Sequence, residues 1–343
     1  MKTYLLPKEG NFYKANLHVH TTISDGTLSP EEVKKAYAEH GYSIIAFTDH
    51  EVFVPQNDLT DENFLALNAV EISVNDDFEG EYMHKKTFHL NFYAKSAEQK
   101  ECIASTGYTI WLEQSKPYVS EFTKNNNLKK EHNVESINNM IKMANDDGFF
   151  VCYNHPVWSL HNFSDYSGLK GLWGIEIFNT GCEKGGYFET VQPFEDLLRE
   201  NQKLVPVCAD DSHSLWSAFG GWTMVKANDL TYDSVVSALV DGNCYSSTGP
   251  EIKELYIEDG IVHVTTSPAT HIKLVTDLRI TKNKLAPDNT FITEAQFDIN
   301  SFIETAKDKT IKRRALPWFR IEVKNERGQH AYTKAFFIDD LDL

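Results

Sequence analysis

The sequence predicts an α/β protein carrying an antiparallel β appendage, and three observations lead there. Over residues 1–250, short and nearly all-apolar runs of strand length alternate with helix-length segments. That rhythm suits parallel strands covered on both faces, hence an α/β barrel or a doubly wound sheet. After Thr248-Gly249-Pro250 the texture changes to period-two alternation around turn residues, which predicts a small antiparallel β-sandwich over 251–343. A chain of 343 residues is long enough for one large domain, 1–250, and one small domain, 251–343.

The elements follow in order. Ala15 to His20 reads as a strand. Ser29-Pro30-Glu31-Glu32 supplies an N-cap, a proline at the first helical position and a capping-box glutamate ahead of the helix VKKAYAEHG. The strands SIIAFTDH, NAVEIS and TFHLNFYA come next, then a polar region near 98–130 that reads as helical. The helix VESINNMIKMANDDG leads into the strand FFVCYNH, and GIEIFN, the helix VQPFEDLLREN, the strand KLVPVCADD and the helix YDSVVSALVDG complete the alternation. In the appendage, IKELYIEDGIVHVTT is a hairpin about Asp-Gly. WFRIEVKNERGQHAYTKAFFI is a second hairpin, with Phe319, Ile321 and Val323 on one face and Arg320, Glu322 and Lys324 on the other.

Composition excludes several classes. Apolar residues make up 41% and charged residues 24%, so a packed core can form and disorder is a poor fit. Fifty acidic against 33 basic residues give a net charge of -17, which disfavours duplex nucleic acid and anionic membrane surfaces as partners. Almost all of that excess falls in 1–250. No apolar run has the length of a signal peptide or a spanning helix, so the chain reads as cytoplasmic, or as an exported form whose leader has been removed. The five cysteines are widely spaced and lack a CxxC, which suggests neither a disulfide framework nor a thiolate zinc site.

The thirteen histidines carry more information than the charge. His18 and His20 are two apart on a predicted strand, so both imidazoles leave the same face. Asp25, His50, Glu71, His89, His155, Asp211 and His213 join them, each expected at or just beyond the C-terminal end of a predicted strand, where α/β barrels assemble their sites. Six imidazoles and three carboxylates without a thiolate suit zinc, manganese or iron rather than calcium. Among such ligands a water shared by two ions ionises near neutral pH and becomes a nucleophile, and no Ser or Cys nucleophile is required.

Taken together, HVHTTISDG, FTDH, the glutamate of VEIS, NHP and DSH resemble the PHP (polymerase and histidinol phosphatase) superfamily of metal-dependent phosphoesterases over most of residues 12–250. The β appendage, NHPVW and SSTGPEI are similar to two-domain bacterial members of its carbaryl-hydrolase-like branch. The resemblance implies a distorted (β/α)7 barrel and two or three divalent ions (Zn, Mn or Fe). It implies one ion on His18, His20, Glu71 and Asp211, a second on Asp25, His50 and His213, and a third on Glu71, His89 and His155, with Glu71 bridging. Ala209-Asp210-Asp211 departs slightly from the usual lead into the last motif, and the Asp-x-His spacing favours Asp211 over Asp210.

Further candidates are positional. Glu71 and Asp211 count as catalytic through the ions. His161 could protonate a leaving group or be a solvated loop histidine. Glu176 could orient a ligand histidine or serve the barrel rim. Asn154, Asn179 and Lys184 are candidate substrate-binding residues, although ordinary loop hydrogen bonding explains the asparagines and a plain loop explains NTGCEKGG equally well. His84 is a rival to His89 but lies outside the strand alternation. Arg199 is the sole arginine before residue 250, unusual for a phosphate site. Either ions and lysines hold the phosphate, or Lys312-Arg313-Arg314 reaches the cleft within its own subunit or across a homo-oligomer, or the substrate is no phosphate ester. The function expected is therefore metal-dependent hydrolysis of a small phosphomonoester or nucleotide-like molecule. The alternatives are hydrolysis of a carbamate, amide or carboxylic ester on the same site, and a non-catalytic binding protein.

Overall fold

The computed structural model describes residues 2–109 and 111–341. In chain order the strands are β1 (Lys2–Tyr4), β2 (Asn11–Val19), β3 (Ile44–Phe47), β4 (Leu65–Asn75), β5 (Thr87–Ala94), β6 (Phe149–Tyr153), β7 (Gly174–Asn179), β8 (Val205–Ala209), β9 (Trp222–Ala227) and β10 (Cys244–Ser247). They continue as β11 (Ile252–Glu258), β12 (Ile261–Ala269), β13 (His271–Thr276), β14 (Thr281–Leu285), β15 (Ile292–Asp298), β16 (Trp318–Lys324), β17 (His330–Thr333) and β18 (Phe336–Phe337). The helices are α1 (Pro30–Glu39), α2 (Glu121–Asn125), α3 (Val134–Asp146), α4 (Phe163–Tyr166), α5 (Thr180–Lys184), α6 (Gln192–Arg199), α7 (Tyr232–Val240) and α8 (Asn300–Lys307).

Local sequence explains the helix ends. Ser29 caps α1, its hydroxyl accepting from Glu32 N while Glu32 Oε2 accepts from Ser29 N at 2.8 Å, and Pro30 takes the first turn. Asn133 caps α3, whose Ile137, Met140, Ile141 and Ala144 fall at helical spacing and are all buried.

One long mixed sheet runs β14-β13-β16-β17-β10-β9-β2-β3-β4-β5-β6-β7-β8. It differs from an all-parallel expectation. β2-β3, β3-β4, β6-β7 and β7-β8 are parallel, whereas β4-β5, β5-β6 and β2-β9 are antiparallel. Between β4 and β5 the chain makes only a 3₁₀ turn, Tyr82–His84, and a parallel return needs a longer crossover. The region 98–130 is also not the helix expected. Its described residues hold a 3₁₀ turn at Lys116–Tyr118 and the short α2 and otherwise run as loops, and residue 110 lies outside the described residues. At the far end Val19 pairs with Ser212 in a parallel bridge and Asp211 N donates to His18 O at 2.9 Å, bringing the end of β8 back onto β2.

β1, β11, β12 and β15 form a separate four-stranded antiparallel sheet, so the N-terminal strand sits among C-terminal ones. Its apolar face, with Ile257, Val262 and Phe297, shares one core with Ile272, Phe319, Ile321 and Val323 from the long sheet. Arg320 and Glu322, on the face opposite Phe319, Ile321 and Val323, are buried as well. α6 covers that face: Arg320 Nη2 donates to Glu195 Oε1 at 2.6 Å, and Trp318 and Phe337 join the core beneath β4–β7. Among the described residues no helix is long and apolar enough to cross a membrane.

Candidate metal centre

The strand ends place nine side chains around one point. β2 delivers His18 and the adjoining His20, the turn after β3 delivers His50, β4 Glu71, the turn after β6 His155, and the turn after β8 Asp211 and His213. His89 comes from the N-terminal end of β5 and not the C-terminal end expected, because β5 runs antiparallel to β4. Asp25 arrives on the loop after β2. That loop is shaped by Asp49, a buried carboxylate that accepts from Thr21 N and Thr21 Oγ1, both at 2.8 Å, and from Ser24 Oγ at 2.7 Å. A side chain on Gly26 would collide with the His20 carbonyl, so the loop can pack this closely only with glycine there.

Glu71 is the hub. Its Oε1 lies 3.1 Å from His89 Nδ1, 3.2 Å from His18 Nε2 and 3.5 Å from His155 Nε2, and its Oε2 lies 3.0 Å from His50 Nδ1 and 3.5 Å from His20 Nε2. Asp211 Oδ1 is 3.1 Å from His20 Nε2 and 3.4 Å from His18 Nε2. Asp25 Oδ1 lies 3.3 Å from His213 Nε2, and its Oδ2 lies 3.7 Å from His50 Nε2. His18, His20, Glu71, His89 and His155 are buried, whereas Asp25, His50 and His213 are partly open to solvent and form the mouth.

Ligand-type atoms converge in four overlapping groups: His20, Asp25, His50 and His213; His18, His20 and Asp211; His50, Glu71 and His89; His18, His155 and Glu176. His89 lies in the centre, and His84 is exposed on the rim beside Phe78. Buried His20 Nδ1 and His89 Nε2 have no hydrogen-bond partner among the described residues, and Glu71 Oε2 has only the His50 Nδ1 contact, which is not aligned as a hydrogen bond. Unsatisfied buried polar atoms are costly, and several on one set of imidazoles and carboxylates fit divalent ions.

The carboxylates and imidazoles of the cavity shift one another strongly: burial lowers His18, His155 and His213, and the carboxylates more than offset it. Burial pushes the Glu71 and Asp211 carboxyls up, but the surrounding imidazoles outweigh it and hold both well below the usual range. Burial, then His20, lowers the His50 imidazole to about 4, leaving it neutral and able to ligate. Burial also lowers His213, but the Asp25 and Asp211 carboxylates more than offset this and raise it to about 9. Three residues here have positive φ without being glycine: Glu51 at 63°, His155 at 25° and Asp211 at 51°. Such backbone strain persists where surrounding bonds over-determine it. His155 N donates to Glu176 Oε2 at 3.1 Å, and Glu51 N donates to Glu71 O at 2.8 Å.

The remaining candidates divide. Glu176 holds His18 Nδ1 at 2.7 Å. Asn154 Nδ2 donates to Glu71 Oε1 at 2.8 Å, and Asn179 Nδ2 donates to Glu176 Oε2 at 3.0 Å and Asp211 Oδ2 at 3.2 Å. Both asparagines are fully buried and hold ligand-type residues where direct substrate contact was expected. Asp210 is structural: it accepts from Phe219 N, Gly220 N and Gly221 N, and from Tyr37 and Asn16. His161 lies away from the central cavity, bonded to Tyr153 Oη and 3.1 Å from His132 Nε2. Lys184 is spent on the Trp216 carbonyl, and NTGCEKGG forms the short α5 capped by Asn179 instead of a plain loop. Arg313 is bound by Asp277 at 2.9 Å, so the basic triplet does not reach the cleft of its own subunit through it.

Sequence reasoning missed the cavity walls. Trp158 stands with its ring 4.9 Å from His155 and 5.3 Å from His89, and its backbone N–H is fixed by Glu189 Oε1 at 2.9 Å. Tyr82, Tyr108, Lys129 and Lys130 come from loops whose composition carries no periodic signal. Only the tryptophan was detectable in advance, by its place in NHPVW.

Imidazoles and carboxylates gathered at strand ends, with ligand atoms left unsatisfied, define a metal-binding α/β protein. The PHP domain profile matches residues 16–206, more than half of the chain, and the chain belongs to the PHP domain family. No curated protein matches it. Similar solved structures include a two-domain protein from Bacteroides vulgatus containing a predicted PHP-like metal-dependent phosphoesterase, with 15% identity, 97% of this chain and 98% of that one covered, and a TM-score of 0.44. Others are an amidohydrolase from Chromobacterium violaceum (14% identity, 67% and 96% covered, TM-score 0.39) and the lesion-specific endonuclease PfuEndoQ from Pyrococcus furiosus (12% identity, 67% and 56% covered, TM-score 0.41).

Proposed function

We propose that the protein is a metal-dependent hydrolase of a small phosphate ester, working through two or three divalent ions (Zn, Mn or Fe) held by His18, His20, Asp25, His50, Glu71, His89, His155, Asp211 and His213. The observation that carries this reading is the convergence of these nine side chains on Glu71 and Asp211 with buried ligand atoms left unpaired. Bound there, the ions would supply a lowered water pKa and positive charge for the substrate's oxygens. The chain's own residues do the rest. Glu176 fixes the His18 ring, Asn154 and Asn179 orient Glu71 and Asp211, and Trp158 shields one side of the cavity from water. We read β2–β8, rejoined through Val19 and Ser212, as the distorted seven-stranded barrel of the family. Residues 1–250 are then read as the catalytic domain with 251–343 appended, except that β1 at the N-terminus pairs into the appended sheet. Five free, buried cysteines suit a cytoplasmic setting.

A second reading, cleavage of a carbamate, amide or carboxylic ester, is favoured by one observation: no arginine lines the cavity among the described residues. Protein reconstituted with Mn or Zn, assayed on p-nitrophenyl phosphate, nucleotides and aryl carbamates with Asp211→Ala and His18→Ala as controls, separates the two. Metal-dependent phosphate release lost in both variants supports the proposal. Carbamate turnover without phosphate release sinks it in favour of the second reading, and no metal-dependent turnover sinks both.

A further inference from the structure

The cavity over the outer ligands has a volume of about 1040 Å³, far more than a phosphate needs, and the ligand-type residues form only its floor. Its upper wall comes from the two loop excursions, 76–86 between β4 and β5 and 95–133 between β5 and α3, together with Trp158. Tyr82, Tyr108 and Trp158 give that wall flat apolar surface. Lys129 and Lys130 are the cations in it.

These two lysines are placed differently. Lys130 Nζ donates to Glu51 Oε2 at 2.8 Å and to Thr109 Oγ1 at 3.1 Å, leaving one of its three N–H groups uncommitted. Glu51 is itself fixed, its Oε1 accepting from Ser73 N at 2.7 Å. Lys129 is exposed, and no described residue hydrogen-bonds its ammonium. Glu131 also borders the cavity, but its Oε2 accepts from Asn133 Nδ2 at 3.2 Å beside the start of α3. One ammonium is thus balanced and anchored, and its neighbour is free at the same wall.

We propose that Lys129 is the specificity-determining cation of this cavity, which with the free N–H of Lys130 binds a second acidic group on the substrate, remote from the scissile bond. The substrate class is then an ester of a flat, largely apolar alcohol that itself bears a carboxylate or another anion. The ring lies against Tyr82, Tyr108 and Trp158, while the scissile group meets the floor. This assignment rests on the hydrolase reading above, but it is testable apart from turnover.

The test is calorimetric binding of phenylphosphonate and of its 3- and 4-carboxy derivatives, which no phosphatase can hydrolyse, to Mn-loaded protein. Wild type should prefer one carboxylated compound by about two- to fivefold, the range of one solvent-exposed ion pair. Lys129→Gln should bring that ratio to about one. On the matching aryl phosphates the same variant should raise KM for the carboxylated ester and leave its kcat in place. Equal binding of all three compounds by wild type, failure to bind any of them, or a preference that survives Lys129→Gln overturns the proposal. A preference that disappears in Lys129→Gln, with no turnover of any phosphate, sinks the phosphoesterase reading and leaves the subsite standing.

Discussion

The Glu176 carboxylate lies 2.7 Å from His18 Nδ1, and both side chains are shut off from solvent. The contact turns His18 Nε2 toward Glu71 and Asp211, because a ring that donates from Nδ1 keeps its other nitrogen for a ligand. The other oxygen of Glu176 receives His155 N and Asn179 Nδ2. One carboxylate on β7 therefore aligns groups from β2, from β7 and from the turn after β6.

Glu176→Gln keeps the shape and removes the charge. Divalent-ion affinity, measured by competition with a chelator, is expected to fall about 10- to 100-fold while the fold remains. Unchanged affinity would reduce Glu176 to a packing residue of β7.

Ion binding should stabilise the fold by linkage. At free Mn or Zn of about 100 times Kd, the gain is roughly 2.7 kcal/mol, visible as a rise in Tm that a chelator reverses. Asp211→Asn should abolish the rise. A Tm indifferent to both metals in the wild type would contradict the centre.

Adjacent aspartates should behave in opposite ways. Asp210 is fully buried and accepts from three consecutive backbone N–H groups, Phe219, Gly220 and Gly221. Asp210→Asn would aim an amide donor at donors and should cost on the order of 3 kcal/mol in denaturant unfolding. Asp211→Asn should leave metal-free stability far less affected. Equal losses in the two variants would contradict this division.

His161 should make the protein acid-sensitive. Burial, then His132, lowers its imidazole to about 3 from an ordinary 6.5. Unfolding therefore takes up a proton at low pH, so the stability is fully present above pH 6.5 and is lost as pH falls toward 3. Between pH 8 and 5 about 2 kcal/mol should disappear. His161→Gln should flatten that part of the unfolding-versus-pH curve, and an unaltered slope would place the titration elsewhere.

Much of the centre was legible because its residues lie at strand ends, where period-two geometry fixes which side a histidine faces. His18 and His20 need only an extended backbone to share a face. The capping box of α1 was equally local. The strand direction of β5 was not, since an apolar run reads alike in parallel and antiparallel sheets. The loops 76–86 and 95–133, which carry Tyr82, Tyr108, Lys129 and Lys130, offered no period to read.

By itself the sequence supplied the candidate ligands, the strands near which they fall and the family resemblance, because these depend on residue type and on separations of a few positions. Tertiary structure alone decided that Asn154 and Asn179 serve Glu71 and Asp211, that Arg320 is buried against α6, that His161 stands apart from the nine candidate ligands, and that Lys130 is bound to Glu51 while no described residue hydrogen-bonds the Lys129 ammonium. These depend on which groups meet across 8 to 125 residues of chain. That pairing is set by sheet order and packing, and no local pattern encodes it.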